Sequence, residues 1–120
     1  MKKLGFWKGS YESGEHLRRG WVLGKFFEGD QHLEGVEIKY DHFLESKYLA
    51  PHFHSQIITI NIVIAGAIHY KMDGEEVTVS AGEILVWGPG VVEELISCEP
   101  DTKCFSLHTP SLGYPDKTDV

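Results

Sequence analysis

The sequence predicts an all-β chain folded as one jelly-roll barrel. Three observations predict it: the length, a succession of short strand-like runs, and the turn residues that divide them. The chain has 120 residues, room for one compact domain but not two. A chain of this size buries roughly two-thirds of its unfolded surface, so a core forms without disulfide staples. Its 2 cysteines are too few for a disulfide framework. The runs span 21–27, 35–43, 56–65, 67–72, 76–80, 84–87, 91–97 and 104–109. Between them stand Glu28-Gly29-Asp30, Asp73-Gly74, Ala81-Gly82, Gly88-Pro89-Gly90 and Glu99-Pro100-Asp101. Asp-Gly between two apolar runs is a strong hairpin signal. About eight strands at this spacing indicate a sandwich or jelly-roll barrel.

Residues 1–20 read as an N-terminal arm, 21–112 as the barrel and 113–120 as a C-terminal tail. Gly5, Gly9, Gly14 and Gly20 punctuate the arm and argue against a long helix there. Its basic residues precede no apolar run, so it does not read as a signal peptide. The longest apolar stretch, 57–68, is interrupted by Thr59, Asn61 and Gly66. It falls short of the roughly 20 residues a membrane helix needs. The net charge is −7, whereas a nucleic-acid binder needs a basic face to neutralise phosphates. These readings give a soluble, cytoplasmic domain without nucleic-acid or membrane partners.

The run 56–65 is the most informative. Ile58, Ile60, Ile62 and Ile64 alternate with Thr59, Asn61, Val63 and Ala65, and alternate residues of a strand share a face. An exposed row of isoleucines is unusual. The row is therefore expected to be buried, either in the domain core or against a second subunit of a homodimer. The mixed opposite face suits a partly polar cavity, or an ordinary sandwich strand with a satisfied Asn61.

The sharpest chemical feature is Pro51-His52-Phe53-His54. Two histidines two apart on a strand project from one face, with Cα atoms about 6.5–7 Å apart. Their imidazoles can converge on one metal ion at about 2.0–2.1 Å from each nitrogen. The alternative is a metal-free polar pair hydrogen-bonded near a barrel mouth.

Around this pair the sequence resembles the cupin superfamily of small jelly-roll barrels. The first cupin motif runs as His52-Phe53-His54, then Thr59 at the glutamate position, then Gly66. The second runs as Gly82, then Gly88-Pro89-Gly90, then Glu93 at the histidine position. The segments Gly20-Trp21-Val22-Leu23-Gly24 and Thr109-Pro110-Ser111-Leu112 also look like parts of small bacterial cupins. The resemblance implies a double-stranded β-helix with a metal site in the barrel. The usual ligand set is three histidines and one glutamate, of which His52 and His54 match. Thr59 stands where the glutamate is expected and is a poor ligand for a transition metal. Glu93 stands where the third histidine is expected. His52, His54 and Glu93 together make two imidazoles and one carboxylate, a set with open positions that suits a divalent transition metal: iron, nickel, zinc or manganese. Glu94 points to the opposite face, so a register error of one residue would remove the third ligand.

Three functions follow from the resemblance: a metal-dependent oxygenase, isomerase or lyase acting on a small molecule, a non-catalytic ligand sensor, and a metal-free sugar epimerase with His52 or His54 as base. Candidate cavity-lining residues are Thr59, Asn61, Lys39 and Trp87. Lys39 belongs to the face Glu37, Lys39, Asp41, which reads as a solvated surface pair or, if it faces inward, as a holder of an anionic group. His108 should point away from the apolar side formed by Phe105 and Leu107. His69 reads as a surface residue, and His16, His32 and His42 carry no spacing signal. Cys98 and Cys104 flank an expected hairpin loop within disulfide reach across two strands, and are expected as free thiols in a reducing cytosol.

Overall fold

The structure is a computed structural model describing residues 7–13, 19–112 and 114–120. Among the described residues ten strands form: β1 (Trp21–Leu23), β2 (Glu37–Phe43), β3 (Leu49–Phe53), β4 (Ile58–Ala65), β5 (Ala67–Met72), β6 (Glu75–Ser80), β7 (Ile84–Trp87), β8 (Glu93–Cys98), β9 (Thr102–Thr109) and β10 (Thr118–Asp119). They make two five-stranded sheets, β1-β2-β9-β4-β7 and β10-β3-β8-β5-β6. None of the helices among the described residues is long and apolar enough to cross a membrane.

Local chemistry sets the turns. Asp73 and Gly74 join β5 to β6 with φ of 49° and 84°, the paired positive values of a two-residue hairpin turn. Asp73 also accepts a hydrogen bond from the Val92 N–H at 2.8 Å, which ties the turn to the start of β8. Gly66, at φ 77°, turns the chain from β4 in one sheet to β5 in the other. A Cβ there would lie 2.4 Å from the Thr102 hydroxyl and 2.9 Å from its Cα, so only glycine fits.

Two strands carry no periodicity signal. In β3, Pro51 and the polar residues around it break the alternation. β10 lies in the segment read as a tail, and pairs with β3 so that Asp119 faces His52 and Thr118 faces Phe53. The turn 99–101 is not a hairpin: it carries the chain from β8 in the second sheet to β9 in the first. Cys98 and Cys104 therefore belong to different sheets rather than to neighbouring strands. Both are free, buried thiols. Burial, reinforced by Asp41 and opposed by Lys39, pushes the Cys104 thiol up to about 12.

The alternation of β4 is as read, but its polarity is inverted. Thr59, Asn61 and Val63 are buried, while Ile58 and Ile64 are 42% and 43% exposed. The isoleucine row does not enter the domain core. It joins a continuous apolar outer face on the first sheet, where Tyr40, Phe105, Ile62 and Ile84 stand in register across four strands. Ile38, Leu107, Ile60 and Val86 form the next row. Tyr11 of the arm lies on this face of its own chain, its ring 4.6 Å from Tyr40 and 5.1 Å from Phe105. His16 lies outside the described residues.

The interior has two parts. At one end Val63, Ile68, Val79, Leu95 and Cys104 pack into the apolar core, with Tyr70 and Trp87 at its border. At the other end the sheets part around a polar cavity. That cavity explains the inversion of β4: the face that must turn inward is the one able to line it.

Candidate metal centre

The antiparallel register of β3 and β8 sets His52 directly opposite Glu93. Alternation brings His54 to the same side and sends Phe53 away. All three side chains are buried. One ligand atom from each of His52, His54 and Glu93 falls within 4.8 Å of the others. Glu93 Oε1 contacts His52 Nε2 and lies 3.4 Å from His54 Nε2. Glu94, on the opposite face, accepts a 2.7 Å hydrogen bond from the Tyr48 hydroxyl.

The outer nitrogens are committed. His52 Nδ1 donates to the Ala50 carbonyl at 2.9 Å, and His54 Nδ1 donates to the Asp116 carbonyl. Nitrogens held this way carry the proton, which leaves both Nε2 lone pairs aimed at Glu93. Three electron-rich atoms at this spacing need positive charge between them, as protons or as a cation. In the metal-free state the hydrogen bond that His52 donates to Glu93 raises the pKa of His52 despite burial. At His54 burial works downward but Glu93 and the Asp116 carbonyl outweigh it. Burial pushes Glu93 upward, and the two histidines outweigh it, so its pKa falls below the ordinary range. Glu93 Oε2 is buried without a hydrogen-bond partner. The two imidazoles, the carboxylate and this unsatisfied oxygen fit a divalent transition metal with open positions.

The site opens into a cavity of about 220 Å³ whose walls include Lys39, Thr59, Asn61 and Trp87. Thr59 stands directly opposite Trp87 on β7. The Asn61 amide donates to the Tyr70 hydroxyl and accepts from Ser106 at 2.7 Å. The face Glu37, Lys39, Asp41 is not a solvated surface: Lys39 and Asp41 face the cavity, 3.5 Å apart. Burial raises the Asp41 pKa against the pull of Lys39. A larger outer chamber of about 530 Å³, reached past His54 and His108, has Arg19, Phe26 and Tyr114 in its walls.

One pair has no counterpart in the sequence reading. His108 Nδ1 lies 3.0 Å from Glu37 Oε1, and Ser111 donates to the other carboxylate oxygen at 3.3 Å. The His108 ring sits 5.4 Å from that of His54. Alternation with Phe105 and Leu107 does turn His108 inward, but only the β2–β9 register, Glu37 opposite His108, reveals its partner. His42 and His69 make surface contacts with Asp101 and with Thr78 and Glu76, and His32 bonds the Phe27 carbonyl.

No protein-family model and no curated protein matches the sequence. Solved structures do match. KdgF from Halomonas sp. superposes with a TM-score of 0.60 at 24% identity, over 66% of this chain and 73% of that one. The chain has the cupin fold. A cupin protein from Bacteroides fragilis gives a TM-score of 0.57 at 21% identity, over 72% and 75% of the two chains. The salicylate 1,2-dioxygenase of Pseudaminobacter salicylatoxidans gives 0.57 at 18% identity, over 63% of this chain and 21% of that larger one. In this chain the pocket between β3 and β8 gathers His52, His54 and Glu93.

Proposed function

We propose that this chain holds one divalent transition metal through His52, His54 and Glu93 and acts on a small molecule bound in the adjoining cavity. The observation that carries the reading is the convergence of both Nε2 atoms on one buried carboxylate whose second oxygen has no partner. Bound there, a divalent ion supplies Lewis-acid chemistry beside open coordination positions. The protein supplies the rest. The Ala50 and Asp116 carbonyls fix the histidine tautomers. Lys39 and Asp41 set a charged wall against the ligand, and Trp21 shields His108 with its ring 5.3 Å away.

The test is the elemental content of the purified protein beside that of His52→Ala. The expected result is about one transition metal per chain, lost in the variant. No metal in either, after incubation with Fe(II), Ni(II) and Zn(II), overturns the reading. In that outcome the metal-free isomerase reading leads, with His52 or His54 as the base and His108, paired with Glu37 and lining the same cavity, as a further candidate. The third alternative, a non-catalytic ligand sensor, differs from both in giving no turnover with ligands found by thermal-shift screening.

We propose separately that the chain is a homodimer. The outer rows of the first sheet leave Ile84 61% and Val86 56% exposed, and an apolar sheet face of this extent is characteristic of a protein interface. The occupant proposed is a second copy, with the cytoplasm as the compartment.

A further inference from the structure

Three buried side-chain atoms among the described residues lack a hydrogen-bond partner: Glu93 Oε2, Thr59 Oγ1 and Trp87 Nε1. The metal centre uses the first. The other two are left, and they are neighbours: Thr59 and Trp87 face each other across β4 and β7, where opposed Cβ atoms lie about 4.5–5.5 Å apart. Thr59 is 3% and Trp87 6% exposed, and both line the metal-site cavity. An indole N–H only donates, and a hydroxyl can donate. A buried donor without an acceptor costs about 1–3 kcal/mol, so two side by side on a cavity wall are a cost that a ligand acceptor would recover. The cavity is small at about 220 Å³, and its lining also carries Lys39, paired with Asp41 at 3.5 Å, together with Lys47 and Lys117.

We infer that Thr59 and Trp87 form a carboxylate subsite, which makes the substrate of this site a small carboxylate whose oxygens accept from the Trp87 indole and the Thr59 hydroxyl. Thr59 is then not a failed metal ligand but a specificity residue. The inference rests on the metal reading only for where the ligand's other end lies. The donor pair stands without it.

The experiment uses chelator-treated protein labelled with ¹⁵N. The chain has 3 tryptophans, and Trp87→Phe assigns the Trp87 indole signal. Acetate, glycolate and pyruvate are titrated to tens of millimolar, with ethylene glycol as the neutral control. The carboxylates are expected to shift the Trp87 N–H signal, and ethylene glycol to leave it in place. Thr59→Val removes the hydroxyl at nearly constant shape. Its expected signature is a double one: carboxylate affinity falls about tenfold, while the unliganded unfolding midpoint stays equal or rises by a few degrees, because an unsatisfied buried hydroxyl has gone. A purely structural hydroxyl would give the opposite, a lower midpoint with unchanged affinity, and that overturns the proposal. So does an indole signal indifferent to all three carboxylates, or loss of metal content in Thr59→Val, which would make Thr59 a ligand. Absence of metal from the wild type overturns the metal reading alone and leaves the titration decisive.

Discussion

Asp116 offers the deepest test of how the fold builds the site. The segment 114–120 runs along β3 as a strap, closed by the β10 pairing and by a 3.2 Å bond from the Val120 N–H to the Pro51 carbonyl. The Asp116 carboxylate pins its start, accepting from the Ser55 N–H at 3.0 Å, the Ser55 hydroxyl at 2.6 Å and the Gln56 N–H at 2.7 Å. Its backbone carbonyl holds His54 Nδ1. Asp116→Ala keeps the carbonyl but removes the anchor. Three hydrogen bonds near the surface, at a net of about 1 kcal/mol each, give the carboxylate about 2–3 kcal/mol of hold on the strap. Loosening the partner of a metal-ligating histidine typically lowers metal affinity 10–100-fold, about 1.4–2.7 kcal/mol. His52 is the internal control, because its Nδ1 partner is Ala50 on its own strand. The assay is competition for Zn(II) against a chromophoric chelator, for the wild type, Asp116→Ala and Asp116→Asn. The alanine variant should bind 10–100-fold more weakly, and asparagine, which keeps an acceptor, should fall between. The carboxyl's hydrogen bonds from Ser55 and Gln56 overcome its burial and hold its pKa below the ordinary value. The strap's anchoring is therefore present above the ordinary aspartate range and lost as pH falls through the lowered value. Wild-type affinity in Asp116→Ala would refute the claim that the strap orients His54.

Other outcomes follow from the same geometry. His54→Ala should abolish metal binding with the fold intact, and Glu93→Ala should weaken it more than Glu94→Ala; calorimetric titration in the reverse order would contradict the inward facing of Glu93. In metal-free protein, lowered Glu93 contributes stability above the ordinary carboxylate range, and raised His52 and His54 contribute below about pH 6.5 and lose it as pH rises through their folded values. The metal-free unfolding midpoint should thus fall as pH rises above the ordinary histidine value of about 6.5, while the stabilisation gained from added Zn(II) grows over the same rise because the ion replaces protons; a rising metal-free midpoint would contradict the charge cluster. Gly66→Ala combines a positive φ with a collision against Thr102 and should cost about 2–4 kcal/mol, read as a midpoint lower by roughly 10 °C. Val86→Lys should convert a dimer to a monomer in light scattering at micromolar concentration, and a wild-type monomer there would remove the dimer.

The sequence by itself determined the class of fold, because strand length, turn chemistry and alternation are local properties. The Asp73-Gly74 hairpin, the shared side of His52 and His54 and the opposed facing of Glu93 and Glu94 are all legible from neighbours in the chain. Only the tertiary structure decided which face of each strand turns inward. Alternation defines two faces, and hydrophobicity ordinarily chooses between them. Here the choice inverts in β4 and in β2, because the end of the sandwich that holds the site is a polar cavity, and the apolar rows of Ile60 and Tyr40 are left outside it. Pairings between distant segments were beyond local reading as well. Glu37 meets His108, Thr59 meets Trp87, and Asp116 meets His54 through register and closure, which depend on the whole barrel and leave no trace in the spacing of any one strand.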